Sequence, residues 1–383
     1  MINIFQPTLG AAELAAVSDV FDSGWLGHGP RTAAFETEFA EHLGVDPAHV
    51  VFLNSCTAAL FIATELLELG EGDEVVLPSI SFVAAANAVA ATGARTVFCD
   101  VDARGLNPGV ADVEAALTER TKAVVLLHYG GYPGEVEAVA ELCRARGVAL
   151  IEDAACAIAS TVRDRLVGTF GDMAMWSFDA MKILSTGDGG MLYVREPEAA
   201  RRARRLAYHG LEQSSGFAKA RVSHRWWDLD VRDFARRVIG NDLTAAIGSV
   251  QLGRLPEFVR RRSEIVRRYD AALTDVDGLR PPPPLPAGHS SSYYFYWVQM
   301  DAEIRDQVAA DLYAAGIYTT FRYPPLHKVP AYGAAESLPE ADRASDETLC
   351  LPLHQGLTDA QVDQVAEQVR KAIANRSRAR QRR

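Results

Sequence analysis

The chain has 383 residues, a length that favours two domains over one. Its hydrophobic content of 48% and charged content of 23% are ordinary for a globular protein, which excludes a disordered, collagen-like or coiled-coil chain. The net charge of -11 argues against nucleic acid as a partner. No apolar run is long enough to span a membrane and the first residues lack signal-peptide features, so we expect a cytoplasmic protein without a membrane partner.

The cysteines give no sign of disulfides or of a metal site. There are five, an odd number, and no two form a C-x-x-C pair. Scattered cysteines of this kind are typical of reduced thiols. We therefore expect no structural zinc and no other metal. The five are Cys56, Cys99, Cys143, Cys156 and Cys350.

Between Val50 and Val194, short apolar runs alternate with helical stretches, and this pattern predicts an α/β fold. Nearly all-apolar strands are typical of a mostly parallel sheet covered by helices. Helices are predicted at Ser55 to Glu68 and Gly134 to Arg146. The large domain is placed at residues 1–252. Its seven predicted strands are Val50 to Leu53, Glu74 to Leu77, Thr96 to Val101, Ala123 to Leu127, Val148 to Glu152, Met173 to Ser177 and Gly190 to Val194.

A run of prolines from Pro281 to Pro286 predicts an extended connection, since proline cannot continue a helix or a central strand. It lies inside a smaller α+β C-terminal domain, placed at residues 253–374. Here we predict a strand at Tyr293 to Met300 and helices at Ile304 to Ala315 and Asp359 to Ala374. The arginine-rich end, residues 375–383, is predicted to be a disordered basic tail.

Lys182 follows a predicted strand and precedes a glycine-rich turn, Thr186 to Gly190. A lysine held out of water in such a turn would have a lowered pKa, and its neutral amine could attack a carbonyl. A single lysine is, however, usually a solvated surface residue. Its neighbours must decide between the two interpretations.

Asp153 comes at the end of an apolar strand, the edge where open α/β sheets place ligands. A buried carboxylate there would need a cation, and a protonated pyridine nitrogen is one. The alternative is a helix cap.

Two further segments follow strands directly. Ser55, Cys56 and Thr57 begin a helix, whose amides and hydroxyls form a seat for phosphate. Phe82 follows the next strand, where its ring could stack on a flat ligand, and a role in the hydrophobic core is the alternative.

These four segments, in this order, resemble the DegT/DnrJ/EryC1/StrS family of sugar aminotransferases, which depend on pyridoxal phosphate and have the type I aminotransferase fold. The resemblance covers nearly the whole chain. Further matching motifs are Ser23 to Leu26 with Gly29 and Pro30, Phe35 to Ala40, Leu351 to His354 and Gly356 to Thr358.

The resemblance implies that pyridoxal phosphate is the cofactor and that Lys182 bonds to it covalently. Asp153 would pair with the ring nitrogen, Phe82 would stack on the ring, and phosphate would be held by Ser177, Ser55, Cys56 and Thr57. Because related sugar dehydratases carry histidine at the lysine position, Lys182 favours amino transfer over dehydration. Substrate-binding residues would be Trp25, Leu26, Tyr323 and His327, although a lone histidine is often structural.

Three positions depart from the family pattern. Cys56 replaces the usual glycine, and Cys156 replaces a histidine or glutamine near the cofactor hydroxyl, where a thiol is a weak hydrogen-bond partner. The asparagine that reaches the phosphate of the partner subunit is also missing. Arg237 or Asn241 could substitute for it, although an arginine in this stretch is by default solvated.

The resemblance therefore implies a homodimeric enzyme with shared active sites. It would move an amino group from L-glutamate to a nucleotide-linked keto-deoxysugar, preferably a dTDP-4-keto-6-deoxyhexose. A 3-keto sugar or a cyclitol ketone would use the same cofactor residues and remains an alternative. A non-catalytic regulator that binds cofactor or nucleotide sugar is the alternative from another class.

Overall fold

A computed structural model describes residues 1–212, 225, 227–334 and 336–381 of the chain, and side chains up to residue 376. The helices are α1 (Ala11–Asp22), α2 (Pro30–Leu43), α3 (Cys56–Leu66), α4 (Val83–Ala90), α5 (Val110–Ala116), α6 (Val136–Arg146), α7 (Pro197–Ala207), α8 (Asp242–Leu273), α9 (Ala302–Ala314), α10 (Pro339–Glu347) and α11 (Asp359–Gln381). The strands are β1 (Val50–Leu53), β2 (Glu74–Pro78), β3 (Arg95–Cys99), β4 (Thr121–Leu127), β5 (Ala149–Asp153), β6 (Thr161–Val162), β7 (Arg165–Leu166), β8 (Met173–Ser177), β9 (Gly190–Val194), β10 (His289–Ser290), β11 (Tyr296–Gln299) and β12 (Thr348–Leu351).

The main sheet has seven strands in the order β1-β9-β8-β5-β4-β2-β3. Strand β9 runs antiparallel to both of its neighbours, and the other pairs in the sheet are parallel. Its strands are almost entirely buried, as expected of a sheet covered by helices on both faces. The predicted α/β fold is confirmed, and every predicted strand of the large domain lies within two residues of the observed one.

Strand β5 lies in the middle of this sheet, with three strands on each side. The chain enters β5 through α6, which ends at Gly147 in the left-handed conformation. Parallel neighbours β4 and β8 place their carboxyl ends beside that of β5. The carboxyl ends of the central strands therefore form one edge, where an open α/β sheet binds ligands.

The C-terminal part contains a small antiparallel sheet, β11 with β12, covered by α9 and α11. Its apolar residues form a second hydrophobic cluster, and α8 connects the two clusters. Leu255 and Phe258 of α8 belong to the first cluster, whereas Ile265 and Tyr269 belong to the second. The predicted domain boundary at residue 252 thus falls inside a continuous helix.

The last helix is longer than predicted. Helix α11 continues to Gln381, so residues 375–381 are helical instead of a disordered tail. Residues 382 and 383 lie outside the described part of the chain. Alanine, arginine and glutamine are good helix formers, and this composition allows the helix to continue past its last buried contacts.

Arg262 joins the small sheet to the large domain. Its guanidinium is buried and donates hydrogen bonds to the carbonyl of Tyr293 (2.9 Å), the carbonyl of Leu353 (3.1 Å) and the side-chain oxygen of Gln355 (3.0 Å). Burial lowers the pKa of Arg262 to about 10. These bonds fix the segment before β11, which carries Tyr294 to the edge of the main sheet.

Among the described residues, no helix has both the length and the apolar character needed to cross a membrane.

Candidate active site

A cavity of about 260 Å³ opens at the carboxyl edge of the central strands. It contains most of the residues that the sequence singled out, together with others from the C-terminal part. The residues that line it are Ser55, Cys56, Thr57, Leu60, Phe82, Ala84, Leu127, Asp153, Ala155, Ser177, Asp179, Met181, Lys182, Asp188, Tyr294, Arg322 and Tyr323.

Lys182 lies in the loop between β8 and β9, where its backbone N–H donates to the carbonyl of Asp179 (2.9 Å). Its amine, Nζ, lies 4.6 Å from the ring centroid of Tyr294 and 3.8 Å from Sγ of Cys156. The Lys182 amine is thus held against an aromatic face inside the cavity.

The charge of Lys182 differs from the sequence-based expectation. Burial disfavours the charged amine, but the electrostatic effect of Cys156, the two tyrosines 294 and 323, and Asp153 outweighs it and raises the pKa of Lys182 well above its usual range. The predicted lowering of the pKa is therefore wrong for the free protein. The expected lowering considered only the loss of water around the amine, whereas Cys156, Tyr294 and Tyr323, and after them Asp153, act in the opposite direction.

Asp153 is the last residue of β5 and is buried at the base of the cavity. Within the described part of the chain, its carboxylate accepts one hydrogen bond, from the backbone N–H of Ala155 (3.1 Å). Burial raises the pKa of Asp153. A buried carboxylate with so few donors favours a cationic donor as its ligand.

Glu152, which precedes Asp153 on β5, points into the protein interior and anchors the strand. Its carboxylate accepts hydrogen bonds from the backbone N–H groups of Gly168 (2.7 Å) and Gly171 (2.6 Å) and lies 3.0 Å from Nε2 of His128. Alternation along the strand sends successive side chains to opposite faces. Glu152 therefore serves the fold, and Asp153 faces the cavity.

The N-terminus of α3 forms another wall. Ser55 caps the helix by accepting a hydrogen bond from the N–H of Ala58 (3.1 Å), while Cys56 and Thr57 occupy its first two positions. A helix N-terminus with free amides attracts phosphate. Ser177, at the end of β8, adds a hydroxyl to the same cavity.

Gly190 explains how the helix start comes so close to the sheet. A Cβ placed on Gly190 would lie 2.3 Å from the backbone nitrogen of Cys56, closer than atoms can approach. Only glycine therefore allows β9 and the start of α3 to pack at this distance.

Phe82 and Tyr323 approach each other across the cavity mouth, with ring centroids 5.8 Å apart. Tyr323 has a φ of 65°, the left-handed region, which is strained for an aromatic residue. Its hydroxyl lies 3.7 Å from Sγ of Cys156. Cys156 thus contacts both Lys182 and Tyr323, although it does not line the cavity surface itself.

Five predicted site residues lie away from the cavity of this chain. Trp25 and Leu26 are exposed, and so is Arg237, whose guanidinium lies 5.5 Å from the ring centroid of Tyr208. Asn241 caps α8 by accepting from the N–H of Thr244 (3.0 Å). Their ligand-binding roles stay predictions, and so does that of the fifth, His327.

His327 ties the C-terminal loop to the large domain. Its Nδ1 lies 2.6 Å from the hydroxyl oxygen of Ser79, and its Nε2 lies 3.3 Å from the carboxylate of Asp342. The backbone N–H of Leu326 donates to the carbonyl of Ser79 (2.8 Å). These contacts hold the loop that carries Arg322 and Tyr323 against the end of β2.

Sequence reasoning missed Tyr294, Arg322, Asp179 and Asp188 as cavity residues. Asp179 and Asp188 flank Lys182 in the same loop, so their sequence position alone was a usable signal. Tyr294 comes from a segment more than a hundred residues away, and no local pattern could place it.

The sequence matches the DegT/DnrJ/EryC1/StrS aminotransferase family over residues 7–370. This chain belongs to that family. It is 63% identical, over 97% of both chains, to the dTDP-4-dehydro-2,3,6-trideoxy-D-glucose 4-aminotransferase of Saccharopolyspora spinosa. The predicted family is confirmed.

Two solved structures show the same fold. The aminotransferase TlmJ from Streptoalloteichus hindustanus is 63% identical, with a TM-score of 0.94 over 98% of this chain and 100% of that one. Spr1654 from Streptococcus pneumoniae in its PLP-form is 26% identical, with a TM-score of 0.88 over 97% of this chain and 98% of that one. The predicted type I fold of pyridoxal-phosphate enzymes is confirmed.

The cavity has the groups that such a cofactor requires. Asp153 offers an acceptor for a protonated ring nitrogen, α3 offers amides and hydroxyls for a phosphate, and Lys182 offers an amine for an aldehyde. Among the described residues, no cluster of acidic, histidine or cysteine side chains could hold a metal ion. The residues present therefore fit pyridoxal phosphate.

Replacing Gly190 with alanine tests the phosphate seat. The new methyl group would push the start of α3 away from β9, so we expect affinity for pyridoxal phosphate to fall roughly tenfold, as one or more charge-assisted hydrogen bonds lengthen. Cofactor titration by fluorescence measures this. Gly253→Ala is the matched control, since a Cβ there meets nothing within 4 Å. Equal affinity for pyridoxal phosphate in the Gly190 variant and the wild type would contradict the proposed phosphate site at the start of α3.

Proposed function

We propose that this chain binds pyridoxal phosphate through Lys182 and transfers an amino group from L-glutamate to a nucleotide-linked keto-deoxysugar in deoxyaminosugar biosynthesis. The observation that carries the proposal is a single cavity that brings together the Lys182 amine, the buried Asp153 carboxylate and the N-terminus of α3. These three groups match the aldehyde, the ring nitrogen and the phosphate of pyridoxal phosphate.

Each residue would have a separate task. Asp153 would accept a hydrogen bond from the ring nitrogen, Phe82 would cover one face of the ring, and Thr57 and Ser177 would bind the phosphate together with the amides of α3. The bound cofactor supplies an electron sink for the charge left when a carbon next to nitrogen loses its proton. Lys182, freed from the aldehyde by the incoming amine, would take that proton and return it.

We propose a dTDP-4-keto-6-deoxyhexose as the acceptor, with amination at carbon 4. Support comes from the Saccharopolyspora spinosa relative, whose name specifies a dTDP-linked 4-keto sugar and 4-amination, and whose identity to this chain is 63%. A sugar pocket differs from its relatives through side chains that contact the ring, whereas the cofactor residues stay the same. We place the enzyme in the cytoplasm.

Lys182→Ala tests the function directly. The wild-type protein loaded with pyridoxal phosphate should show the visible absorbance of a lysine-bound cofactor, lose it on adding L-glutamate, and then aminate a dTDP-4-keto-6-deoxyhexose. The variant should lack both the band and the activity, because no other lysine lines the cavity formed by the described residues. NMR of the product identifies the aminated carbon.

The exposed Lys122 offers a matched control, and Lys122→Ala should behave as the wild type. Amination at carbon 3, or of a cyclitol ketone, would contradict the proposed acceptor and leave the cofactor chemistry intact. A wild-type protein that binds the cofactor but never transfers nitrogen would favour a regulator.

Asp153→Asn should weaken the binding of the cofactor and stabilise the cofactor-free protein. Loss of a charged hydrogen bond to the ring nitrogen should reduce affinity for pyridoxal phosphate by roughly 10- to 100-fold. Because burial raises the pKa of Asp153, the free protein gains stability from the protonated form and loses it as pH rises through that pKa. The cofactor-free variant should therefore melt at a higher temperature than the wild type at pH 8, with a smaller difference at pH 5.

Asp275→Asn, at an exposed position, is the control for the lost charge. Calorimetry at both pH values measures the effect on stability, and cofactor titration measures affinity. A cofactor-free Asp153 variant that melts below the wild type at pH 8 would show that Asp153 stabilises the fold.

We also propose a homodimer with shared active sites. The predicted ligand residues Trp25, Leu26 and Arg237 are exposed and lie away from this chain's cavity, whereas Phe82 at the cavity mouth is 49% exposed. A second copy could cover Phe82 and bring Arg237 to the phosphate.

Mixing two inactive variants, Lys182→Ala and Arg237→Ala, tests the sharing. If Arg237 serves the partner's cavity, the mixed dimer contains one site with both residues intact, and activity should reappear after co-expression. Light scattering should give twice the mass of the chain. A fully active monomer would contradict the shared site. So would a mixed dimer without activity, provided that each variant alone is inactive.

A further inference from the structure

Tyr294 lines the cavity and has no task in the proposed reaction. It comes from the C-terminal part of the chain, and its side chain is buried beside Lys182. The amine of Lys182 lies over the face of its ring, 4.6 Å from the ring centroid. A charged amine within about 6 Å of such a centroid is attracted to the electron-rich face of the ring. Tyr294 is therefore placed to bind the charged form of the Lys182 amine.

The ring of Tyr294 is fixed by contacts that do not involve Lys182. Phe5 stacks on it with ring centroids 5.3 Å apart and an angle of 9° between the planes. The backbone N–H of Tyr294 donates to the carbonyl of Gly130 (2.9 Å), and the carbonyl of Tyr293 accepts from Arg262. Tyr293 itself has a φ of 53°, which is strained for an aromatic residue. The surroundings thus hold the ring face toward the amine.

The other groups around the amine are poor partners for its charge. The nearest of them is the thiol of Cys156, with Sγ 3.8 Å from the amine, and a thiol is a weak hydrogen-bond partner. Asp153 is assigned to the ring nitrogen in the proposed function. The titratable side chains that act on the amine besides Tyr294 are Cys56, Cys156, Asp153 and Tyr323. The cavity wall also includes the charged residues Asp179, Asp188 and Arg322.

An aromatic face and a carboxylate stabilise a charged amine in different ways. A carboxylate has lone pairs that can accept the proton, whereas a ring face attracts the charge and is not basic enough to take the proton away. In the proposed reaction Lys182 collects a proton from one carbon and returns it to another. A partner that stabilises the proton on the amine without accepting it suits that task.

We propose that Tyr294 is a positioning residue whose ring face holds the Lys182 amine, in its protonated form, whenever the amine is not bonded to the cofactor. This inference rests on the proposed function, because it requires Lys182 to be released and to carry a proton. It gives the C-terminal part of the chain a share in the proton transfer. Lys182 comes from the main sheet, and the ring that orients its free amine comes from the segment before β11.

The cofactor-free protein provides a test that does not depend on turnover. Only the neutral amine attacks the aldehyde of pyridoxal phosphate, so a ring that favours the charged amine slows this step. Tyr294→Leu should therefore form the lysine-bound absorbance faster than the wild type at pH 8, by roughly three- to tenfold. The pH at which this rate levels off should fall. General damage to the site would slow the same step, so the sign of the change separates the two causes.

Proton transfer in the loaded enzyme should change in the opposite direction. Exchange of the α-proton of L-glutamate with solvent deuterium, followed by NMR, reports the proton carried by Lys182. Tyr294→Leu should slow this exchange by roughly three- to tenfold, because an amine whose charged form is less stable is a weaker base.

Two further variants separate the ring face from the volume of the side chain. Tyr294→Phe keeps the ring and should retain the wild-type pH profile. Pentafluorophenylalanine, introduced at position 294 through an amber codon, has nearly the same shape but an electron-poor face, so it should behave as the leucine variant does. Tyr296→Leu is the matched control, since it removes a buried ring of the same segment that packs in the second hydrophobic cluster. It should leave both rates unaltered.

Several outcomes would overturn the inference. Bonding of the cofactor at an unchanged or lower rate in the leucine variant would give Tyr294 a role in packing alone. If the leucine variant does not fold, the phenylalanine and pentafluorophenylalanine proteins decide, and equal rates and pH profiles for the two would exclude the ring face. A wild-type protein that never forms the lysine-bound absorbance would overturn the proposed function as well, whereas a normal band with unchanged rates in the variants overturns the inference alone.

Discussion

The buried carboxylate of Asp153 is the constraint on which the site depends. A carboxylate at the end of a central strand loses the water that would stabilise its charge, and the backbone N–H of Ala155 replaces little of it. A ligand that supplied a cationic N–H at the same point would offset this cost. The order of the sheet contributes to that placement, since β5 lies between two parallel strands whose carboxyl ends are beside its own.

Asp153 and Lys182 influence each other's protonation across the cavity. In the free protein Cys156, Tyr294 and Tyr323, and with them the Asp153 carboxylate, raise the pKa of the Lys182 amine, and a charged amine cannot attack an aldehyde. Pairing Asp153 with the ring nitrogen of pyridoxal phosphate weakens this effect on Lys182. The cofactor would therefore relieve the buried carboxylate and favour the neutral amine in the same event.

The large domain could be predicted from sequence because its signals are local. Each strand is a short apolar run bounded by polar residues, so strand ends, and with them Asp153 and Ser177, were placed within two residues. The helix start at Ser55 carries its own capping residue. Asn241 is one of two residues that could substitute for the missing asparagine of the family pattern, and in this chain its side chain caps α8. A residue type suited to two tasks cannot be assigned from sequence alone.

The rest of the cavity depends on contacts that are distant in sequence. Tyr294 reaches Lys182 because Arg262, on α8, fixes the carbonyls of the segment before β11. No sequence pattern near Tyr294 predicts this position. The direction of the Lys182 pKa shift was mispredicted for the same reason, since Cys156, Tyr294, Tyr323 and Asp153, which raise that pKa, all lie outside the loop that carries Lys182.

The residues proposed to bind the cofactor and the residues at the cavity mouth lie on different parts of the chain, and this separation bears on how the enzyme could acquire new substrates. The cofactor groups are fixed by the main sheet, where a change in one strand disturbs every neighbour. Arg322 and Tyr323 lie on a loop that is attached to that sheet at a few points, among them the pair of Ser79 and His327. A substitution on this loop alters the cavity mouth while β5, β8 and α3 keep their positions. With the proposed function, substrate specificity could therefore vary on the loop while the proposed chemistry at Lys182 stays constant.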